Sequence, residues 1–479
     1  MSTFWSVLIH GSVPNCPLGF CEAIMAGMAS SSAARNSGSL FHVFTSTPFC
    51  YNAVCTSCHF TFADAIEDMG MNEAVENSRQ VALDILQPSS ADLERGLALH
   101  KEALVFESYG FSPRAAVDGD AIARLIEEGA GDEEVGEVME EMLLMRMAED
   151  VHLRAQYIDA FDYAGVDCIL QNAGEECQMP TQLLKRLGNF TYVTDMLSDS
   201  VVRAATPTAI LEAKRAGKRS LYLSANGVPL AQEWKSTVDE LRFVRVFFQL
   251  GVRMMHLTYN RRNMLGDGCS ESTDAGLSDF GRAAIREMNR VGVVVDVAHS
   301  GWQTGIDAAN ASSLPIVASH SGAHALSGHI RCKTDDVMRA IVDGGGTIGI
   351  CSISAFLGGS GDINAFLDHV DYVAKKFGTE SITIGTDRAY VPPKAHEEWD
   401  KVPARSRRRT RFEGFWPANS RPDWPVEKAK QSLEWTNWPL LTVGLVQRGY
   451  NDADIRKILG ENILRVMQAS WDGRKAQLS

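Results

Sequence analysis

The stretch VGVVVDVAHSG, residues 291–301, followed shortly by LPIVASHSG, residues 314–322, decides the fold. Each is a β-branched apolar run of strand length that stops at a histidine, His299 in the first and His320 in the second. Six further runs of the same kind surround them: EALVFES (102–108), VDCILQN (166–172), SLYLSAN (220–226), VRMMHLTYN (252–260), GTIGICSI (346–353) and SITIGTD (381–387). The intervals carry helical patterns. In DFGRAAIREMNRVG the residues Phe280, Ala283, Ala284, Ile285 and Met288 recur at helical spacing, and TDDVMRAIVDGGG starts on Thr334 as N-cap and stops near Gly344. Alternating strands and helices predict a parallel α/β arrangement, and eight such units predict a (β/α)8 TIM barrel. That fold builds its active site at the C-terminal ends of its strands, which is where the two histidines fall.

The bulk composition narrows the partners. A chain of 479 residues with 45% hydrophobic content can bury a large core. A formal charge of −14 and a pI near 5.4 argue against a nucleic acid or an anionic membrane as the main partner, which leaves a small-molecule substrate. No uninterrupted apolar stretch approaches the roughly 20 residues of a bilayer span, and MSTFWSVLIHGS lacks the basic start of a secretory signal. A cytoplasmic location is the default. Of ten cysteines, Cys16, Cys21, Cys50, Cys55 and Cys58 crowd into the first 60 residues, and the others read as buried thiols in or beside strands. CTSCH at 55–59 has the spacing of a c-type haem attachment, but without an export signal it is not read as one.

Residues 1–95 read as a partly irregular N-terminal extension, and 96–479 as the barrel with C-terminal helices. The segment TNWPLLTVGLVQRGYNDADIRKILGENILRVMQ predicts two helices, the second starting at Asn451 or Asp452. The basic run ARSRRRTRF lies in a long loop, roughly 390–430, and reads as a solvated face or as a lid over an acidic substrate or partner chain.

Histidine is the commonest ligand for zinc-like metals, and adjacent barrel strands hold two of them together without a flexible loop. His299 and His320 are thus candidate metal ligands, against the plainer reading of a hydrogen-bonded barrel pair. GTDRAY puts Asp387 at the same rim, placed to move a proton from water to a leaving amine. HIRCKTDD contributes Arg331, suited to a substrate carboxylate. His324 and His329, in the same loop, read as surface or supporting residues.

GVRMMHLTYNRRN, GLSDFGRAAIREMNRVGVVVDVAHSG, ASHSGAHAL, RCKTDD, IGTD and LVQRGYNDADIRKILGENILRV, in that order, resemble the membrane dipeptidase (renal dipeptidase, peptidase M19) family. The resemblance spans residues 100–470 and is strongest from 250 onward. It implies a zinc-dependent barrel of the amidohydrolase type that cleaves dipeptides or related amides, often as a homodimer. The family's two zinc ions are held by an HxD pair ending strand one, a bridging glutamate ending strand three, and histidines ending strands five and six. The resemblance places the last two on His299 and His320, the proton-handling aspartate on Asp387 and the substrate-binding arginine on Arg331.

The departures are as informative. Tyr109 and Phe111 stand where the HxD pair belongs, and Ala225 or Asn226 where the bridging glutamate belongs. Tyr259 replaces a substrate-contacting histidine. The early VLIHGSVPN is no substitute for the HxD strand, since about 150 residues would separate it from the next one. The remaining set predicts one zinc at most, with Glu107, Asn172, Glu175 or Asn226 to complete it. The alternative is a metal-poor barrel with a different reaction, such as a lyase, a decarboxylase or another hydrolase using Tyr109 and Tyr259, or a non-catalytic binding protein.

Overall fold

In the computed structural model, which describes residues 72–174, 179–233, 235–404, 415–417 and 426–474, nine parallel strands make one sheet. They are β1 (Phe106–Gly110), β2 (Cys168–Asn172), β3 (Val201–Arg203), β4 (Arg219–Ala225), β5 (Val252–His256), β6 (Val294–Asp296), β7 (Val317–Ser321), β8 (Thr347–Ile350) and β9 (Ile382–Ile384). The order β1-β2-β4-β5-β6-β7-β8-β9 curls into a nearly closed barrel of the eight strands expected from sequence. The unexpected strand, β3, pairs with β4 through Arg219–Leu221, on the edge that β5 takes over from Leu223 onward. CTSCH, Glu175 and the arginines of ARSRRRTRF lie outside the described residues.

β1 and β9 meet without a regular ladder. At the mouth the seam is closed by Asp387 N donating to Tyr109 O and Phe111 N donating to Arg388 O, both at 3.2 Å. Phe106, Leu170, Tyr222, Met254, Val294 and Val317 fill the barrel interior, while a larger core lies between the strands and the helices outside them. This double burial explains why the strands read as continuous apolar runs. Cys168, Cys269, Cys332 and Cys351 are buried free thiols.

The backbone of β7 is irregular between Ala318 and Ser321, and this turns the Ser319 carbonyl inward, where it accepts from Ser108 Oγ of β1 at 2.7 Å. Only glycine fits opposite it: a Cβ on Gly349 or Gly385 would lie 1.8 or 2.2 Å from that oxygen. Gly385→Ala is therefore expected to destabilise the fold by about 2–3 kcal/mol, read from urea unfolding. A change below roughly 0.5 kcal/mol would show that the irregularity of β7 is not fixed by its neighbours.

Among the described residues, the compact unit that holds the barrel already includes the chain from residue 72, ahead of the boundary expected near 95. The helices Glu73–Leu86 and Ser90–Glu102 join the C-terminal helices. Asn437 Nδ2 donates to Ser78 O, Gln447 Nε2 donates to Leu86 O, and His100 Nδ1 meets Thr442 Oγ1 at 2.7 Å. Asn451 caps the helix that starts at Asp452 by accepting from Asp454 N. Among the described residues, no helix is long and apolar enough to cross a membrane.

Candidate active site

The site grows out of strand register. In the β5–β6 ladder His256 is paired with Asp296, so the last residues of two adjacent strands face the mouth together. Nε2 of His256 and Oδ2 of Asp296 are 2.9 Å apart but off the line of a regular hydrogen bond, and neither atom has another partner. The other oxygen of Asp296 accepts from Ala298 N at 2.8 Å and Ser319 N at 3.1 Å, tying the end of β6 to β7. Burial pushes the Asp296 carboxyl up, but His256 and these donors outweigh it and hold the group below the usual carboxylate range.

Past Asp296 the chain turns, with Ser300 N donating to Val297 O, and His299 sits on this turn instead of at the last strand position as expected. His320 lies within β7. The structure brings the two together, their Nε2 atoms 3.0 Å apart. Behind each ring a partner fixes its orientation: His299 Nδ1 meets Asn260 Oδ1 at 2.8 Å, and His320 Nδ1 meets Ser319 Oγ at 2.7 Å. Since Asn260 Oδ1 can only accept, Nδ1 of His299 carries the proton and its Nε2 presents a lone pair to Nε2 of His320. Burial, reinforced by Arg331 nearby, holds both imidazoles well below their ordinary value, so both are neutral at pH 7.

Aromatic rings wall the pair. Tyr109 stacks on His320 and Tyr259 on His299, each at 3.9 Å between centroids. The Tyr109 hydroxyl donates to Asn226 Oδ1 at 2.5 Å, and burial first, then the nearby Asp387 carboxylate, keeps it a phenol. Arg331 is only 1% exposed; its guanidinium donates to Ala298 O on the His299 turn. Lys333 is fully buried, donates to Ser300 O at 2.7 Å, and is pushed down to about 8 by burial and by Arg331.

Asp387 has a left-handed backbone, φ 59°, a region that Asp and Asn enter more readily than other side chains. Burial pushes its carboxyl up to about 6, against the pull of Arg331, His256, Arg388 and Arg114. The conformation is held from outside the barrel. Glu107, also on β1 but facing the helices, accepts from Thr386 N at 3.1 Å, from Thr386 Oγ1 and from Trp435 Nε1 at 2.9 Å. Burial raises Glu107 to about 8 despite those donors. It is committed to the loop before Asp387 and is no ligand. Asn172 Oδ1 accepts from Gly174 N at 3.0 Å. His324 is half-buried against Trp302, and His329 packs on Phe356.

Sequence reasoning missed His256, the third member of a cluster whose ligand nitrogens all lie within 4.8 Å of one another. The signal was present: VRMMH is another apolar run ending on histidine.

A family model for membrane dipeptidase (peptidase family M19) matches residues 122–404, more than half of the chain. The chain belongs to the membrane dipeptidase family. Dipeptidase tcpJ of Claviceps purpurea is 26% identical over 291 residues, covering 60% of this chain and 59% of its own. The Schizosaccharomyces pombe protein described as uncharacterised dipeptidase C965.12 is 28% identical over 253 residues, covering 50% and 57%. The chain thus spans less than two thirds of the length of these relatives. An amidohydrolase from Pseudomonas aeruginosa matches in structure with a TM-score of 0.59 at 24% identity, over 79% of this chain and 99% of that one, and shows the fold.

Members of the membrane dipeptidase family are metal-dependent, so the residues here can be tested against a metal. A tetrahedral ion with bonds of about 2.0–2.1 Å keeps its nitrogens roughly 3.3 Å apart, close to the 3.0 Å between the two Nε2 atoms. Neutral rings, each backed by a partner on the far nitrogen, and the third imidazole of His256 fit one ion. They do not fit two. Phe111 has no ligand atom, the Tyr109 oxygen is engaged with Asn226, and no carboxylate replaces the bridging glutamate among the described residues.

Proposed function

We propose that this chain hydrolyses a dipeptide or a closely related small amide, with one zinc ion held by His299 and His320 and supported by His256. The observation that carries this reading is the pair of neutral Nε2 atoms converging at 3.0 Å. The relatives named as dipeptidases supply the substrate class. When bound, zinc supplies Lewis acidity, making a water more acidic and polarising the scissile carbonyl.

The protein's own groups do the rest. Asp387 accepts a proton from the attacking water and returns it to the leaving amine, the role of a carboxylate tuned upward by burial. Arg331 and Lys333, two cations that among the described residues meet only backbone acceptors, give the mouth a positive potential that draws the substrate carboxylate. Tyr259, half-buried over His299, lines the substrate's approach.

The test is the zinc-loaded protein on a panel of dipeptides, scored by released amino acids. Hydrolysis that requires zinc supports the reading; none on any dipeptide by protein shown to contain zinc contradicts it. A pH dependence follows. The base must be ionised, so activity rises with pH through the Asp387 value, about 6 without metal and lower beside a cation. An acid limb in kcat/KM at or below about pH 6 is expected, and a limb above about pH 7 would remove Asp387 from this role.

A further inference from the structure

Beside the mouth, between the ends of β1 and β2 and the helices Asp132–Glu149 and Pro180–Met196, lies a cavity of about 290 Å³. Phe111, Met139, Leu143, Phe190 and Trp399 supply its apolar wall, and Ser112, Gln171, Asn172 and Arg114 its polar one. One of its lining rings, Phe111, packs edge-on against Tyr109 at 5.9 Å, and Tyr109 stacks on His320. Arg114 N donates to Tyr390 O at 3.0 Å, so the loop carrying Arg114 is fastened to the loop carrying Asp387.

Among the described residues, two cations, Arg114 and Arg186, line the cavity with one carboxylate, Glu140. Of these, Arg186 is ion-paired with Glu140. The guanidinium of Arg114 lies 5.1 Å over the Phe111 ring and meets no hydrogen-bond acceptor or carboxylate partner among the described residues, although it is half-buried. A half-buried guanidinium whose donors meet no protein acceptor is open to an anion, which takes the place of water on them. A planar fork of donors matches a carboxylate. The volume falls at the lower edge of ligand sites, enough for one side chain and not for a whole large ligand.

We infer that this cavity is a specificity pocket for a substrate side chain that ends in a carboxylate on an apolar stem, with Arg114 as its anion-binding group. That it serves a substrate rests on the hydrolase reading above; that it binds such a group does not.

The test therefore reads binding without turnover. The full-length, zinc-loaded protein is titrated calorimetrically with 3-phenylpropionate and with its neutral amide. The acid is expected to bind at least about tenfold more tightly, the scale of a charge-assisted contact. In Arg114→Gln the acid should fall to within about twofold of the amide. Gly136→Phe supplies a second variant: Gly136 lines the cavity from a helix, and a Cβ there meets nothing within 4 Å, so the backbone accepts a side chain whose ring is expected to fill the space, with the fold checked by circular dichroism. It should abolish binding of the acid. Equal binding of acid and amide, a preference that survives Arg114→Gln, or binding that survives Gly136→Phe would each overturn the pocket. Acid binding lost in both variants, in a protein that cleaves no dipeptide, would keep the pocket and sink the hydrolase reading alone.

Discussion

Asp387→Asn is expected to lower kcat/KM by about 10²–10⁴, the range that a positioned proton acceptor contributes. The substitution isolates chemistry from structure unusually well. Asn tolerates the left-handed backbone at this position as readily as Asp does, and it keeps the size of the side chain. The seam it belongs to is made by main-chain atoms, Asp387 N to Tyr109 O, and by Glu107 acting on Thr386, none of which the change touches. The loss should appear in kcat with KM little altered, and the acid limb of the pH profile should vanish with it. Steady-state kinetics on the best dipeptide decides the matter: a loss under about tenfold would assign proton transfer to another group.

His320→Ala should have the other large effect, on metal and stability together. The ring is fully buried, lies under Tyr109 and faces Nε2 of His299, so its removal leaves a cavity and one ligand fewer. Unfolding stability is expected to fall by about 2–4 kcal/mol. Activity should fall by more than the roughly 10–100-fold expected for Asn260→Ala, which removes only the partner behind His299. If His320→Ala retained more activity than Asn260→Ala, the histidine pair would be structural.

The barrel was legible because parallel strands buried on both faces must be continuous apolar runs, and eight of them stood out. Three-residue β3, VVR, carries too little pattern to be seen. The N-terminal helices fell outside the expected barrel boundary because composition marked the irregular stretch before them, whereas their membership comes from contacts such as Asn437 with Ser78. In the site, the histidines and Asp387 were readable as residues that interrupt or end a strand. His256 obeyed the same rule and was passed over in favour of the LTY that follows it. The burial of Arg331 and Lys333 had no local signal: HIRCKTDD is polar enough to read as surface, and only the fold over it removes water. Likewise nothing in FESYGF shows that Glu107 turns outward to hold the loop before Asp387 while Tyr109 turns inward onto His320.

The histidine pair is proposed to hold one metal ion. Elemental analysis of the full-length protein, loaded with zinc and dialysed without chelator, measures it directly beside a His299→Ala, His320→Ala double variant whose fold is checked by circular dichroism. About one zinc per chain is expected in the parent and close to none in the variant. No metal in the parent, two ions per chain, or a content unchanged by the double substitution would contradict that proposal.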